Sequence, residues 1–189
     1  MLSFNPGPDA GYFPNAANIQ NISTYTQLSF QTGVDKCITI ASFNILFFSL
    51  MIMFTSQTTV RVRYAETDQM GVVYHSNFFP YFESARAESI RDLGFTYADM
   101  EKMGVIMPVV DVHCRYLRPA RYDDLLTIKT MLKELPTHHK IEFHHEVLNE
   151  SGELLAVARI ILYFMESRTM KKTTMPEKLF ERIQPFFKD

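Results

Sequence analysis

A single carboxylate, Asp68, lies where a strand-like sequence pattern ends and a helix-like pattern begins. Upstream, Val60, Val62 and Tyr64 alternate with arginines, which predicts a strand, and from Phe78 onward the apolar residues take a helical spacing. Asp68 is therefore predicted in a loop that leads into the positive end of a helix, where backbone N–H groups lack intrahelical partners. A carboxylate in such a place can attack a carbonyl carbon while the free N–H donors polarise the carbonyl oxygen.

The helix that follows this loop has well-defined predicted ends. Asn77 is the predicted N-cap, and this choice places Pro80 at the third helical position, where its missing N–H breaks no intrahelical bond. Gly94 is a natural C-cap, so the helix is predicted over residues 77–93. Because its apolar stripe is wide, the helix is expected to be buried.

A run of strands is predicted after the helix. A short second helix, capped by Thr96 and stopped by Gly104, comes first. Four strands are then predicted from their apolar patterns, over residues 105–116, 125–132, 139–148 and 154–165. The last is almost wholly apolar, so it should be central and buried on both faces, and a closing helix begins at Pro176. One apolar helix followed by antiparallel strands indicates an α+β fold in which the sheet curls around the helix.

Composition limits the possible classes of protein. The chain of 189 residues, 47% of them hydrophobic, has the length and apolar content of one folded domain. Its net charge is −2 and its lysines and arginines are scattered, which argues against a nucleic-acid partner. Cys37 and Cys114 lie far apart in different sequence patterns, which fits a reducing compartment and predicts a cytoplasmic location.

Residues 1–56 form an N-terminal extension ahead of the predicted domain at residues 57–189. Residues 1–36 are polar and lack periodicity, which predicts a loosely held tail, whereas residues 37–60 carry no charge and include a nearly continuous apolar run. Three interpretations stay open. They are translation that begins at Met51 or Met53, a membrane anchor or interfacial segment within residues 37–54, and a segment packed on the domain.

Three spaced motifs resemble those of the hot-dog-fold acyl-CoA thioesterases. They are YAETDxxGxVxHxNF at residues 64–78, FExAR at 82–86 and RPAxYDD at 118–124. Within this family the sequence is similar to the 4-hydroxybenzoyl-CoA thioesterase type, in the branch associated with the Tol-Pal system. The resemblance covers residues 57–187 and implies an antiparallel sheet wrapped around a central helix.

The resemblance also implies the catalytic residues. The family's catalytic carboxylate falls on Asp68, as general base or nucleophile, and a backbone N–H at the helix start, at His75, would polarise the thioester carbonyl. The His75 side chain is a further catalytic candidate that would orient substrate or water. Gly71 would let the acyl group approach closely. In the family two chains join their sheets and form active sites at the subunit interface, so a homodimer or homotetramer is predicted.

Further residues are predicted to bind substrate. Tyr74 is a candidate for the acyl pocket, Arg118 for a CoA phosphate, and Asn77 for a contact at the helix start. The family's basic cluster for the nucleotide phosphates falls on residues 136–140, where Lys140 is the one certain cation.

Neither a metal nor another cofactor is predicted. His138, His139, His144 and His145 form two adjacent pairs, but neighbouring strand residues point to opposite faces, so neither pair can chelate one ion. On the long helix, the spacing of Glu83 and Arg86 predicts a local ion pair.

The sequence therefore predicts an acyl-CoA thioesterase that releases a free carboxylic acid and CoA. Its partners would be acyl-CoA, or an acyl-carrier protein, with membrane contact only if residues 37–54 are a genuine anchor. Two alternatives stay open: a non-catalytic module that binds acyl-CoA or acyl-carrier protein, and a hot-dog hydratase. The hydratase pattern has an Asp and a His five apart on a different loop, whereas Asp68 and His75 are seven apart.

Overall fold

A computed structural model describes residues 53–188, in which a five-stranded antiparallel sheet packs against one long helix. The helices are α1 (Phe78–Asp92), α2 (Tyr97–Lys102) and α3 (Glu177–Ile183). The strands are β1 (Phe54–Arg61), β2 (Val105–Ile106), β3 (Val109–Tyr116), β4 (Leu125–Leu132), β5 (Lys140–Leu148), β6 (Leu154–Tyr163) and β7 (Met165–Glu166). No helix within this range combines the length and apolar character needed to cross a bilayer. Most of the predicted N-terminal extension lies outside the described residues.

The main sheet has the strand order β1-β4-β5-β6-β3, with every neighbouring pair antiparallel. The two short strands β2 and β7 pair separately. Helix α1 packs against β1 and β4, so it covers one face of the sheet. The predicted α+β architecture, an antiparallel sheet on a central helix, is confirmed.

The core lies between α1 and the inner face of the sheet. Phe82 and Ile90 of α1 meet alternate strand residues such as Leu126, Ile128 and Phe143, and all five side chains are fully buried. Burying one side chain of this size contributes about 1.5–3 kcal/mol. This packing fixes α1, and with it the N-terminal end of α1, relative to the sheet.

The first strand lies earlier than predicted. β1 ends at Arg61, and Tyr64, which was predicted to continue the strand, is 77% exposed and begins a 3-10 turn. The alternation at residues 60–64 was therefore misleading beyond Val62. Residues 55–59 form the strand although all are polar, because β1 is an edge strand with one solvent-facing side.

The strand predicted over residues 105–116 divides into β2 and β3. Pro108 lies between them and has no N–H for a sheet ladder, although its carbonyl accepts a hydrogen bond from the Tyr163 N–H at 3.2 Å. Within residues 53–188, β3 then pairs with β6 alone and forms the second edge of the sheet.

The expectation that the fourth predicted strand is buried on both faces was wrong. β6 lies between β5 and β3, and its residues Leu155, Ile160 and Leu162 are buried on the inner face. On the outer face Arg159 is exposed and Ile161 is half-buried, because no described element covers that side.

The predicted helix ends are confirmed. Asn77 directly precedes α1, Pro80 is its third residue, and the Gly94 N–H closes the helix by donating to the Arg91 carbonyl at 2.8 Å. Gly94 adopts a φ of +70°, which favours glycine at this position. At the start of α2, the Thr96 side chain accepts a hydrogen bond from the Asp99 N–H, as its predicted cap role requires.

Candidate active site

Asp68 occupies the first position of a tight hairpin turn. Its N–H donates to the Val72 carbonyl at 2.9 Å, and its own carbonyl accepts from the Gly71 N–H at 2.9 Å. Within the turn the Met70 N–H donates to Asp68 Oδ1 at 2.8 Å. The turn thus holds one oxygen of this half-buried carboxylate, and the structure shows no hydrogen bond to Oδ2 among residues 53–188.

Gly71 closes this turn with a φ of +72°, a backbone conformation that other residues rarely adopt. A Cβ added at Gly71 would meet no atom of the described chain within 4 Å. The turn geometry therefore accounts for the glycine within one chain, and its predicted contact with an acyl group stays a prediction.

The Asp68 turn is joined to the loop that follows β3. The Val73 N–H donates to the Ala120 carbonyl at 2.8 Å, and Val72 pairs with Arg121 in an isolated bridge. The first and third sequence motifs, although about 50 residues apart, are thus hydrogen-bonded neighbours.

The start of α1 offers free backbone donors. A 3-10 turn, His75–Asn77, runs directly into the helix, and the Asn77 N–H donates to the Tyr74 carbonyl at 2.8 Å. The N–H groups of His75 and Ser76 come first in the turn, so they have no acceptor within it. Both residues are exposed, and their N–H groups are available to a negatively charged oxygen at the positive end of the helix.

Glu66 ties the hairpin turn to the helix start with its main chain and its side chain. Its carbonyl oxygen accepts from the Tyr74 N–H at 2.9 Å and from Asn77 Nδ2 at 2.7 Å. Its Oε2 accepts from the Tyr81 hydroxyl at 2.5 Å and from the Arg63 N–H at 2.8 Å. Burial, together with the Glu66 carboxylate, raises the pKa of the Tyr81 hydroxyl, so this hydroxyl remains a donor.

Asn77 therefore differs from the predicted N-cap in one respect. It occupies the predicted position, but its side chain accepts no hydrogen bond from the helix. The amide nitrogen is bonded to Glu66, and the side chain is half-buried. The predicted contact between Asn77 and substrate would have to use its remaining oxygen, Oδ1.

Tyr116, the last residue of β3, reaches the same helix start from the sheet. Its hydroxyl donates to the His75 carbonyl at 2.9 Å, and its ring meets the Phe78 ring edge-on at a centroid distance of 5.2 Å. Burial raises the pKa of the Tyr116 hydroxyl to about 12, and contact with the Cys114 thiol adds to this shift. The hydroxyl therefore keeps its proton at neutral pH.

Large apolar side chains are exposed around the hairpin turn. Met70 is 76% exposed and Tyr74 is 47% exposed, and Tyr74 packs against the His75 ring at a centroid distance of 4.3 Å. Tyr64 and Tyr122 form an exposed edge-to-face pair with centroids 5.6 Å apart. A cluster of exposed aromatic groups beside a free carboxylate indicates a binding surface.

The predicted substrate residue Arg118 forms an ion pair at the start of β6. Its Nε lies 2.9 Å from Glu153 Oε1, and both side chains are about half exposed. The guanidinium also donates to the Leu154 carbonyl at 3.5 Å. An Arg118 contact with a phosphate would have to compete with Glu153.

The predicted ion pair between Glu83 and Arg86 was wrong. Arg86 is 7% exposed, and its Nε donates to the Tyr97 hydroxyl at 2.8 Å. Helical spacing alone could not show that the guanidinium points into the core.

Beside Arg86, the core contains a neutral histidine. His145 is 1% exposed, stacks on the Phe82 ring, and shares a 3.1 Å hydrogen bond through Nδ1 with the Thr130 hydroxyl. Its Nε2 has no hydrogen-bond partner among residues 53–188. Burial, and then the charge of Arg86, lowers the pKa of His145 to about 3. Because His144 lies on the outer face, the prediction that these neighbours point apart is confirmed.

Two surface cavities lie away from Asp68. One, of about 470 Å³, lies beside the hairpin between β5 and β6. The other, of about 510 Å³, is lined by the loop between β4 and β5, including Lys133, His138 and Lys140. The second cavity contains the stretch predicted to hold nucleotide phosphates. Neither cavity includes Asp68, so neither would place a bound acyl group against that carboxylate.

Sequence reasoning assigned no role to Glu66, Tyr81 or Tyr116. Glu66 lies within the first motif, which was the one available signal. Tyr81 and Tyr116 bond to groups 15 and 41 residues away, and such contacts cannot be inferred from local patterns.

This fold and this site define a class: an antiparallel α+β domain whose central helix begins at a turn that is hydrogen-bonded to the segment carrying Asp68. The family model of the thioesterase-like superfamily matches residues 62–183. The chain therefore belongs to the thioesterase-like superfamily. The predicted hot-dog fold and the predicted enzyme class, a thioester hydrolase, are confirmed at this level.

Individual relatives agree with this assignment. YneP of Bacillus subtilis is 42% identical over 102 residues, 54% of this chain and 73% of YneP. The Escherichia coli acyl-CoA thioester hydrolase YbgC is 30% identical over 120 residues, 64% of this chain and 89% of YbgC. A crystal structure of a DHNA-CoA thioesterase from Staphylococcus aureus is 38% identical, covers 64% of this chain and 80% of that one, and superposes with a TM-score of 0.61. Membership of the Tol-Pal-associated branch stays a prediction.

Proposed function

We propose that this chain hydrolyses the thioester of an acyl-CoA to a free carboxylic acid and CoA. The observation that carries the proposal is that Glu66, two residues before Asp68, hydrogen-bonds to Tyr74 and Asn77 at the start of α1, while Asp68 Oδ2 has no hydrogen-bond partner among residues 53–188. The names of YbgC, an acyl-CoA thioester hydrolase, and of the staphylococcal DHNA-CoA thioesterase support the same reaction.

In this proposal Asp68 supplies the reacting oxygen. Its Oδ2 either takes a proton from water or attacks the thioester carbonyl directly, while Met70 holds Oδ1. The negative charge that develops on the carbonyl oxygen is stabilised by the N–H groups of His75 and Ser76. The thiolate of CoA is a good leaving group near neutral pH, so a strong general acid is not required.

We further propose that a second copy of the chain completes the site. β3 is an edge strand, and it exposes Val109, Val110, Val112 and Tyr116 by 39–46% each. The other edge strand, β1, exposes polar side chains instead. A strand with unpaired backbone groups and apolar side chains favours pairing with a second strand, which would make a homodimer or a larger homo-oligomer.

The remaining site assignments are proposals of the same kind. Gly71 and Tyr74 would contact the acyl group, Asn77 would contact substrate through Oδ1, and Arg118 would bind a phosphate of CoA. The His75 side chain, exposed beside Tyr74, would orient substrate or water. We propose a cytoplasmic location, with free acyl-CoA as the acyl donor in preference to acyl-carrier protein.

The test is thiol release from a panel of acyl-CoAs by the wild type, Asp68→Ala and Asp68→Asn. Both variants should lose on the order of 100-fold in kcat, because each removes the reacting oxygen anion. Both should keep the wild-type oligomeric state, as measured by light scattering. Glu181→Gln, an exposed carboxylate on α3, is the matched control and should leave kcat unchanged.

Two outcomes would count against the proposal. A wild-type protein that binds acyl-CoA but releases no thiol would be a binding module. A wild type and an Asp68→Asn variant with equal turnover would remove Asp68 from the reaction.

A further inference from the structure

The peptide bond between His75 and Ser76 contains a hydrogen-bond acceptor, the His75 carbonyl, and a hydrogen-bond donor, the Ser76 N–H. The His75 carbonyl and the Ser76 N–H belong to one planar unit, so a group that fixes the direction of the oxygen also fixes the direction of the N–H. The Ser76 N–H is one of the two donors at the helix start that have no acceptor within the 3-10 turn. The partner of the His75 oxygen therefore controls the aim of the Ser76 donor.

That partner is the hydroxyl of Tyr116, at 2.9 Å. The contact joins two distant parts of the chain, since Tyr116 ends β3 and His75 precedes α1. This hydrogen bond connects the sheet to the turn His75–Asn77. Glu66 bonds to the same turn, through Asn77, from the side of the hairpin turn.

The Tyr116 side chain is 44% exposed, and two sets of contacts position it. Tyr116 pairs with Ala156 of β6, and the N–H groups of Leu117 and Arg118 both donate to the Leu155 carbonyl, at 2.8 and 3.0 Å. The ring lies against Phe78, the first residue of α1, which is 3% exposed. The hydroxyl is thus positioned by the sheet on one side and by the helix on the other.

A hydrogen bond to a peptide oxygen also strengthens the N–H of that peptide as a donor. Hydrogen bonds in series polarise one another. A donor that is both aimed and polarised stabilises the charge of a transition state more than the neutral carbonyl of the ground state. The hydroxyl keeps its proton at neutral pH, as described above, so it is able to donate throughout.

We propose that Tyr116 is a positioning residue for thioester hydrolysis, holding the His75–Ser76 peptide so that the Ser76 N–H faces the carbonyl oxygen of the substrate. Tyr116 itself does not touch the substrate in this proposal. The inference rests on the proposed function, and it assigns to Tyr116 the control of one of the two proposed oxyanion donors, the Ser76 N–H.

Tyr116→Phe tests this inference because it removes the hydroxyl and keeps the ring against Phe78. We expect kcat with the best acyl-CoA to fall by about tenfold, the effect of one lost hydrogen bond, with KM unchanged. The Kd of CoA alone, measured by calorimetry, should also be unchanged, since CoA has no acyl carbonyl. Tyr163→Phe, on the outer face of β6, is the matched control and should behave as wild type.

The possible results separate the two proposals. An active wild type with an unchanged kcat in Tyr116→Phe would overturn this inference and leave the proposed function standing. The inference also fails if Tyr116→Phe raises KM, weakens CoA binding or lowers Tm by more than the control does, since these results indicate a purely structural contact. A wild type that releases no thiol from any acyl-CoA would overturn the proposed function and this inference together.

Discussion

Asp68 is held in a tight turn by a hydrogen bond to one of its two carboxylate oxygens. An Asp at the first position of a tight turn commonly accepts a hydrogen bond from the N–H two residues later, as Met70 shows here. A structural role and a chemical role are therefore compatible in one residue, since Oδ1 serves the turn and Oδ2 has no hydrogen-bond partner in the part of the chain that the structure describes. Residue type and spacing predicted this loop, but only the hydrogen bonds distinguish the two oxygens.

The buried histidine His145 should make the free energy of unfolding depend on pH. Its folded-state pKa of about 3 lies below the ordinary value of 6.5, because burial and Arg86 disfavour the charged ring. Between these two values, His145 is protonated in the unfolded chain and neutral in the folded chain. The contribution of His145 to stability is complete above pH 6.5 and is lost as pH falls from 6.5 toward 3, at about 1.4 kcal/mol per pH unit.

His145→Gln should remove this dependence, because glutamine is neutral across the range and can still bond to Thr130. We expect the free energy of unfolding, from urea titrations between pH 7.5 and 4.5, to fall less steeply in His145→Gln than in the wild type. Carboxylates contribute equally to both proteins, so the difference in slope isolates His145. Parallel curves for the two proteins would contradict the assignment of a depressed pKa.

At the level of elements, the sequence correctly predicted the strands and helices that have a regular apolar spacing or clear end signals. β4 was predicted with its observed ends because its alternate residues are buried, and α1 was predicted because of its cap, its Pro80 and its C-terminal Gly94. β1 was misplaced because an edge strand needs few apolar residues, and residues 55–59 have none. The ties between elements could not be predicted, since Tyr81 and Tyr116 act through hydroxyl groups whose partners are set by the tertiary structure.

The tie between α1 and the hairpin turn leads to a prediction. Tyr81→Phe removes the hydroxyl that donates to Glu66 Oε2, a partly buried hydrogen bond to a charged group. We expect the free energy of unfolding to fall by about 1.5–3 kcal/mol. We also expect kcat to fall by about tenfold, because the hairpin turn and the helix start are no longer held in the same relative position.

Tyr97→Phe provides a matched comparison. Its hydroxyl also takes part in a partly buried hydrogen bond to a charged group, Arg86, but this group lies in the middle of α1, away from the helix start. It should lower the free energy of unfolding by a similar amount and leave kcat unchanged. Equal effects of both variants on kcat would mean that turnover follows overall stability and not the tie through Glu66.

At the scale of the molecule, the exposed edge at β3 predicts self-association. Val112→Lys places a charge on this edge and should weaken dimerisation by about tenfold or more, since an ammonium group is costly to bury. Analytical ultracentrifugation at micromolar concentration would measure this change. Thr59→Lys, on the opposite edge β1, is the control and should associate as the wild type does. A Val112→Lys protein that associates normally would exclude β3 as the interface.

Tyr116, the final residue of β3, connects the proposed interface between chains to the candidate active site. If neighbouring chains meet along β3, the strand that joins them also ends in the hydroxyl that grips the helix-start peptide. That hydrogen bond lies within one chain and its strand is held by β6, so separation of the chains would leave it in place. Each chain would instead lose the second copy that is proposed to complete its site, so turnover per chain would decline on dilution and the amount of protein present would itself set the activity of each copy.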